Sequence, residues 1–261
     1  MVVTKAMIHQ IAIGTAGWTI PSAHASQFPA PGGHLQRYAR RFTAVEINST
    51  FYRPHRPATF ARWAAAVPDG FRFAVKVPKE ITHERRLLDA REPLERFLSE
   101  VSLLGEKLGA LLVQLPPSLA YDAAVARAFF SAVRERHGSD IVCEPRHPSW
   151  LGDDANNGLA KLRIARVAAD PAPVPAAAEP AGWTGLAYYR LHGAPRMYFS
   201  AYSDVPRRSG DETCEAGHRC ADMVYLRQYG ASPRGRERAG HAATRSGKIA
   251  HRIKAGVTPA A

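Results

Sequence analysis

Polar and ionisable side chains recur in this 261-residue chain at points where an apolar, strand-like segment ends. The clearest case is Val45 to Tyr52, where an alternating segment with Glu46 and Asn48 runs into hydroxyl and aromatic residues. Such alternation is typical of a β-strand, and the Pro-containing segment that follows is typical of a loop. Ligands of parallel α/β proteins bind at the carboxyl ends of the strands, so both side chains are site candidates. Alternatively, they are hydrogen-bonded groups that only hold the sheet together.

The same pattern returns along the chain and gives a wider set of candidates at strand ends. Two carboxylates in different environments can work as a general acid and a general base, because their pKa values can be held apart. Cations at the same edge suit a phosphate or carboxylate group, and a histidine can act as a base. The predicted catalytic residues are Glu46, Glu144 and His192, and the predicted substrate-binding residues are Trp18, Asn48, Tyr52, Lys76, Gln114, Arg146, Asp170 and Arg190.

Structural roles stay open for several charged residues at these strand ends. Glu144 can pair with Arg146 or Arg190 and simply fill the edge of the sheet. His147 precedes a Pro and can be a turn residue. Thr82 and His83 are predicted to lie on the surface.

Aromatic residues near the same strand ends also have two interpretations. An aromatic wall at a ligand site can stack on a base or a sugar ring. The same side chains can instead be buried packing. The aromatic residues in question are Trp18, Phe51, Tyr52 and Trp150.

The charged residues at the strand ends favour an anion site over a metal site. Four of the candidates carry the carboxylate or imidazole groups that bind divalent metals. The same strand ends carry the cations Lys76, Arg146 and Arg190, which disfavour a metal ion between them. We therefore predict an anionic ligand and no cofactor, with a divalent metal as the less favoured alternative.

The elements that must position these side chains alternate between strands and helices. Such alternation predicts parallel βαβ units. Without a Gly-x-Gly-x-x-Gly motif after the first strand, it favours a TIM-barrel-like (β/α) barrel over a dinucleotide-binding sheet. The seven predicted strands lie in residues 11–13, 44–50, 71–78, 111–117, 140–147, 164–170 and 186–193, and the predicted helices cover 33–41, 57–66, 92–108, 122–136 and 159–162.

Composition favours a protein with a sizeable core and without a membrane span. Hydrophobic residues make up 46% of the chain, yet no apolar run approaches the length of a spanning helix. The apolar part of Met1 to Gln10 is too short for a signal peptide, which predicts a cytoplasmic location. The three cysteines form no Cys-x-x-Cys pair, so neither a disulfide framework nor a structural zinc site is expected.

The formal net charge of +12 suggests a polyanionic partner, but it is unevenly distributed. Residues 205–261 hold 11 Lys and Arg against 5 Asp and Glu, which is half of the excess. The remainder of the chain is only mildly basic, so nucleic-acid binding is the weaker alternative.

Six motifs in order resemble the YecE-like family, also called domain of unknown function 72, over about residues 11–204. This resemblance implies a TIM-barrel-like fold and no settled activity. The implied barrel is similar to the sugar isomerase and endonuclease IV group, so a phosphodiester or nucleic-acid role is an analogy only. The motifs are Gly14–Trp18, Val45–Tyr52, Phe71–Lys76, Gln114–Pro117, Glu144–Trp150 and Tyr189–Gly193.

The resemblance stops after Asp204, where the family pattern continues with a helix and an eighth strand. The codons of Asp222 to Ala231 can be chosen so that the +1 frame restores that strand, which suggests a frameshift. We therefore predict two regions, a barrel at 1–204 that has lost its eighth strand and an aberrant, disordered basic tail at 205–261. The DNA sequence tests this hypothesis.

Together these features predict an enzyme of the cytoplasm. It would be a hydrolase that acts on a phosphate- or carboxylate-bearing small molecule at the carboxyl ends of the barrel strands. The alternative is a non-catalytic protein that binds nucleic acid with the same basic groups. The sequence predicts no oligomeric state.

Overall fold

A computed structural model describes residues 11–192 and the backbone of residues 221–226. Strands alternate with helices through the described part, as the hydrophobic pattern predicts. The strands are β1 (Ala12–Ala16), β2 (Ala44–Ile47), β3 (Arg72–Lys76), β4 (Leu108–Gln114), β5 (Asp140–Glu144), β6 (Ile164–Arg166), β7 (Ala168–Asp170), β8 (Ala181–Gly182), β9 (Leu186–Leu191) and β10 (Ala221–Leu226).

Five α-helices connect these strands within the described residues. They are α1 (His34–Tyr38), α2 (Pro57–Ala65), α3 (Arg91–Val101), α4 (Ala123–Arg136) and α5 (Asp153–Lys161). Helix α2 begins on Pro57, whose missing N–H is no loss in the first turn. Helix α4 begins after Asp122, whose carboxylate accepts hydrogen bonds from two backbone N–H groups of its first turn. Short helical turns cover Ser22–Gln27, Ser49–Phe51, Glu80–Glu84, Ser102–Lys107, Pro148–Leu151 and Pro175–Ala178.

The strands form one sheet in the order β7-β9-β10-β1-β2-β3-β4-β5-β6-β8. Neighbouring strands are parallel, except that β8 runs antiparallel to β6. The prediction of an α/β fold with a parallel sheet is therefore confirmed. The hydrogen-bonded order is linear, with β7 at one end and β8 at the other.

The strand predicted at 164–170 is divided at Val167 into β6 and β7. Strand β6 pairs with β5, whereas β7 pairs with β9. The N–H of Val167 still donates to Cys143 O on β5, at 2.8 Å. One residue thus separates a segment that pairs with β5 from a segment that pairs with β9.

The prediction that the eighth strand is lost is corrected by β10. Residues 221–226 pair in parallel with both β9 and β1, in the place where the missing strand was expected. The segment contains Val224 and Tyr225, residue types that favour strands, so it can form a strand as it stands. The frameshift hypothesis remains a prediction, and the rest of 205–261 lies outside the described residues.

The two faces of the sheet differ in what covers them. Large apolar residues of the helices pack against one face and form the main core. The other face begins, at the amino ends of the strands, with small and apolar residues such as Ala44, Ala74, Val142 and Tyr188. Side chains at every second position of a strand lie on the same face. Two residues further along each of these strands, this face carries polar groups. These groups are Glu46, Lys76, Glu144 and Arg190.

No helix within the described residues is both long enough and apolar enough to cross a lipid bilayer.

Candidate functional site

Arg190 on β9 is the centre of a buried cluster of charges and is only 3% exposed. Its Nε and Nη2 atoms donate to the two carboxylate oxygens of Glu46, at 3.0 and 2.8 Å. Its Nη1 donates to Glu144 Oε2. The hydroxyl of Tyr188 donates to Glu46 Oε2 at 3.1 Å. We call these four residues the Arg190 cluster.

The contacts of Arg190 reveal the curvature of the sheet. Glu46 lies on β2, three places from β9 in the strand order, and Glu144 lies on β5, six places away. In a flat sheet with strands about 4.8 Å apart, these separations would be about 14 and 29 Å. One guanidinium reaches both carboxylates, so the sheet must curve until β2, β5 and β9 face one another.

Arg146 extends the cluster toward solvent from just beyond the end of β5. Its Nη2 lies 2.5 Å from Glu144 Oε1 and 3.4 Å from His192 Nε2. The Arg146 side chain is 16% exposed, whereas that of Glu144 is 1% exposed. Glu144 therefore stands between a buried guanidinium and a partly exposed one.

The electrostatics keep Glu144 and Arg190 charged. Burial on its own would raise the pKa of Glu144, but Arg190, His192 and Arg146 together hold that pKa well below its usual range. Burial would lower the pKa of Arg190, but Glu144 and Glu46 raise it above its usual value. A carboxylate held in this way stays ionised near neutral pH and is a poor proton donor.

His192 is buried beside the same groups. Burial lowers the pKa of its imidazole, and Arg190 lowers it further, while contact with Glu144 opposes this change. The net effect favours a neutral ring near neutral pH. Its Nε2 lies 3.4 Å from Arg146 Nη2 and 3.6 Å from Glu144 Oε1, between a guanidinium and a carboxylate.

A second group of polar side chains lies at the carboxyl ends of β2 and β3. Lys76 is buried, and its Nζ lies 3.9 Å from the centre of the Phe51 ring, which is a cation–π contact. Thr50 Oγ1 donates to the Lys76 carbonyl at 2.7 Å and so ties the turn after β2 to β3. Tyr52 packs edge-on against Phe51 and is 71% exposed.

Thr82 and His83 complete this second group, although both were predicted to lie on the surface. That prediction is wrong for Thr82, which is fully buried in the π-helical turn Glu80–Glu84. His83 is half-buried, and its ring packs edge-on against Phe51 with centroids 4.9 Å apart. Thr82 Oγ1 lies 2.8 Å from His83 Nδ1. We call Phe51, Lys76, Thr82 and His83 the β3 corner.

The sequence offered signals for the site residues that were missed. Tyr188 stands two residues before Arg190 on the same strand, so the period of two places both on one face. Thr82 and His83 follow within a few residues of Pro78, which ends the strand carrying Lys76. Position relative to the end of a strand was therefore a better guide to the site residues than the polarity of the surrounding sequence.

Three other predicted substrate-binding residues also lie at strand ends. The Oδ1 atom of Asn48 is buried without a hydrogen-bond partner among the described residues. Gln114 ends β4 in register with Glu144 and is half-buried. Asp170 is buried at the end of β7.

Two of the aromatic candidates pack against the protein rather than facing a ligand. Trp150 is buried and its Nε1 donates to Leu119 O at 3.0 Å, so the packing interpretation holds for this residue. Trp18 is half-buried and packs edge-on against Trp63, with ring centres 5.0 Å apart. Tyr52 is the candidate whose side chain is mostly exposed.

His147 serves the turn that follows it. Its Nδ1 accepts from the backbone N–H of Ser149 at 3.2 Å, so the side chain caps the turn Pro148–Leu151. The described residues contain no group of three or more His, Cys, Asp and Glu side chains arranged to hold a metal ion.

Comparison with known proteins identifies relatives of unknown function. The family model for "Protein of unknown function DUF72" matches residues 12–216. The UPF0759 protein YecE of Escherichia coli (strain K12) is 31% identical over 149 residues, which cover 55% of this chain and 54% of YecE. The UPF0759 protein YunF of Bacillus subtilis (strain 168) is 30% identical over 152 residues, covering 54% of this chain and 52% of YunF. This chain thus spans about half the length of the curated relatives it matches.

Crystal structures of two DUF72 family proteins have a similar fold. The protein from Enterococcus faecalis V583 aligns with a TM-score of 0.64 and 20% identity, covering 84% of this chain and 89% of that protein. The protein from Thermotoga maritima MSB8 aligns with a TM-score of 0.60 and 21% identity, covering 84% and 92% of the two chains. At this identity, the likeness concerns the fold alone.

Proposed function

This chain belongs to the DUF72 family, and we propose that it is a hydrolase acting on a small molecule that bears a phosphate or carboxylate group. The site would lie at the carboxyl ends of the parallel strands, where the Arg190 cluster and the β3 corner are found. Ligand sites of parallel α/β proteins lie at this edge of the sheet.

The proposal includes a (β/α) barrel that closes at Val167. Two observations support closure. Strands β6 and β7 are joined by this single residue yet pair with β5 and β9, which stand far apart in the strand order. Arg190 also reaches carboxylates on β2 and β5 at once. In a closed barrel, these strands face one another across the interior.

The observation that carries the anion-binding part is the unused hydrogen-bonding capacity of Arg146. A guanidinium has five N–H donors, and among the described residues Arg146 makes its polar contacts through Nη2 alone. Its Nε is buried without a hydrogen-bond partner among those residues. A phosphate or carboxylate accepts from two guanidinium N–H groups at once, so an anionic group fits these remaining donors.

The predicted catalytic residues have different roles in this proposal. Glu46 and Glu144 hold Arg190 and Arg146 in place through their negative charges. His192 lies beside the anion that Arg146 would bind. These assignments give the two carboxylates an electrostatic role, since Glu144 remains ionised and Glu46 is engaged by both Arg190 and Tyr188.

A small molecule suits this site better than nucleic acid. A polyanion needs an excess of positive charge along its path. The carboxyl ends of the described strands instead carry three carboxylates and three cations, which suits one local anion site. These residues are Glu46, Glu144 and Asp170 against Lys76, Arg146 and Arg190.

Isothermal titration calorimetry with inorganic phosphate tests the proposal. We expect Arg146→Ala to weaken phosphate binding by about 10-fold or more, because a charge-assisted hydrogen bond is lost. Arg127→Ala, at an exposed position on α4, is the matched control and should bind as the unchanged protein does. Equal binding by all three proteins, or none by any, would reject the anion site. If phosphate binds in an Arg146-dependent manner, release of p-nitrophenol from p-nitrophenyl phosphate tests for hydrolysis of a phosphate-bearing substrate.

A further inference from the structure

The Thr82 hydroxyl contacts the His83 ring and is in position to set its tautomer. Thr82 Oγ1 donates to Pro78 O at 3.3 Å and lies 2.8 Å from His83 Nδ1. A hydroxyl has one hydrogen to donate, and the carbonyl can only accept it. When the hydroxyl donates to this carbonyl it accepts from the ring, and in that arrangement Nδ1 carries the hydrogen and Nε2 keeps a lone pair.

The Nε2 atom of His83 is available for a ligand. It makes no hydrogen bond among the described residues, and His83 is only half-buried. The ring is held by its edge-on contact with Phe51, whose face lies against the Lys76 ammonium. A lone pair on a fixed ring, close to a cation, is the arrangement that a proton acceptor beside a bound anion requires.

The charged groups around His83 favour its neutral form. Burial lowers the pKa of the imidazole first and Lys76 from β3 lowers it further, while Glu84 of the same turn opposes them. Glu84 is itself paired with Lys79 at 2.8 Å, and both side chains are about half exposed. A neutral imidazole can accept a proton near neutral pH, whereas an imidazolium cannot.

The backbone around His83 is unusual in a way that supports a role in the site. His83 lies in a π-helical turn, which occurs often at functional sites. Three residues that follow it, Arg86, Leu87 and Asp89, have left-handed φ values of 53°, 71° and 45° without being glycine. Such conformations cost energy and cluster where function needs them. Arg86 anchors the segment with hydrogen bonds to Ser118 at 3.0 and 2.8 Å.

We propose that His83 is the proton acceptor of this site and takes a proton from a water molecule or a ligand hydroxyl beside an anion bound at Lys76 and Arg146. This inference rests on the proposed function and narrows it. The ligand would be a phosphate or carboxylate compound. Next to its anionic group it would carry a hydroxyl, or a bond that water can hydrolyse.

In the hydrolytic step His83 acts first as a base and then as an acid. The O–H bond of water breaks, and its proton moves to His83 Nε2, which becomes an imidazolium. The water oxygen forms a bond to phosphorus or to the carbonyl carbon, and the bond to the leaving group breaks with its electron pair. The leaving group then takes the proton from the imidazolium, so His83 returns to its neutral form. Thr82 is a positioning residue, because it acts only through His83.

Two-dimensional NMR of the ¹⁵N-labelled histidine side chains, recorded with the full-length protein, tests the tautomer. We expect the Nδ1–H form of His83 in the unchanged protein and a mixture of forms in Thr82→Val. Ser49→Ala is the matched control, since it removes a similar hydroxyl–histidine contact, the 2.7 Å contact between Ser49 and His55. That variant should leave the His83 signals unchanged. A predominant Nε2–H form of His83 in the unchanged protein would overturn the proposal.

Titration with inorganic phosphate tests the placement. Near neutral pH this anion carries a P–OH group, so its binding should shift the His83 Nε2 signal, and His83→Ala should weaken binding about 3- to 10-fold. If phosphate binds in an Arg146-dependent manner while the His83 signals stay still, the inference about His83 fails and the proposed function stands. If phosphate does not bind at all, the proposed function fails and this inference falls with it.

Discussion

The Arg190 cluster and the β3 corner lie on the same edge of one sheet and use their polar groups in opposite ways. In the cluster, Arg190 meets two buried carboxylates, and each of these accepts from Arg190 directly. In the corner, the Lys76 cation lies on an aromatic face, and His83 keeps one ring nitrogen available. All three guanidinium nitrogens of Arg190 are bonded inside the cluster, whereas His83 Nε2 and Arg146 Nε have no hydrogen-bond partner among the described residues.

This difference separates residues that hold the site from residues that would act in it. A buried ion pair contributes little net stability when intact, but breaking it leaves an uncompensated charge in the interior. A half-buried imidazole can be removed at small energetic cost, because water replaces its contacts. Loss of stability and loss of binding should therefore follow from different substitutions along this edge.

The largest effect is expected for Arg190→Met, which leaves Glu46 and Glu144 buried without their guanidinium. We expect the free energy of unfolding to fall by about 3–5 kcal/mol. Urea denaturation followed by circular dichroism measures this value. Arg127→Met on the exposed face of α4 serves as the control and should change stability by less than about 0.5 kcal/mol. A loss below about 1 kcal/mol for Arg190→Met would mean that the ion pairs of the cluster do not hold the fold together.

A smaller effect is expected for Glu144→Gln, and it should depend on pH. The pKa of Glu144 is lowered in the folded protein from an ordinary value of 4.5. The unfolded chain therefore binds the proton first as the pH falls, so the stability from this carboxylate is complete above 4.5 and is lost below it.

Stability curves for both proteins between neutral and acidic pH measure this contribution. The unchanged protein should lose at least about 1 kcal/mol more than Glu144→Gln as the pH falls below 4.5. His192, whose pKa is lowered from 6.5, adds a loss of the same sign that begins at higher pH, and this loss should be larger in Glu144→Gln because Glu144 opposes the lowering. Parallel curves would show that Glu144 is not stabilised as an ion in the fold.

Much of the fold was predictable because its signals are local. Apolar segments that end at a Pro or a polar residue marked the seven predicted strand regions, since a Pro cannot continue the hydrogen-bonded ladder, but they did not predict β8, β10 or the division at Val167. Helix α5 was the weakest of the helix predictions, with a predicted start at residue 159 and an observed start at Asp153. Its first turns are Asp- and Asn-rich, and these types have low helix propensity. Tertiary contacts of Ala155 and Leu159 decide that helix instead, as both are buried.

The partners within the site were much less predictable. The sequence placed Glu46 and Arg190 at one edge, but they stand 144 positions apart, and only the curvature of the sheet brings them together. The split at Val167 and the π-helical turn around Thr82 were also hard to predict, because each depends on contacts with a neighbouring strand or loop. Residue type and strand position therefore predicted which residues lie at the strand ends. Packing decides which of their polar groups are already hydrogen-bonded within the protein.

The smallest effect on stability, with a clear effect on binding, is expected for His83→Gln. The substitution leaves the contact between Lys76 and Phe51 in place and alters a half-buried ring, so the free energy of unfolding should change by less than about 0.5 kcal/mol. Binding of inorganic phosphate should still weaken, because the amide does not reproduce the lone pair of Nε2 on a rigid ring. Urea denaturation and calorimetry on the same preparation give both values. A stability loss near that of Arg190→Met would place His83 among the groups that hold the fold, and the contrast between the two regions would then fail.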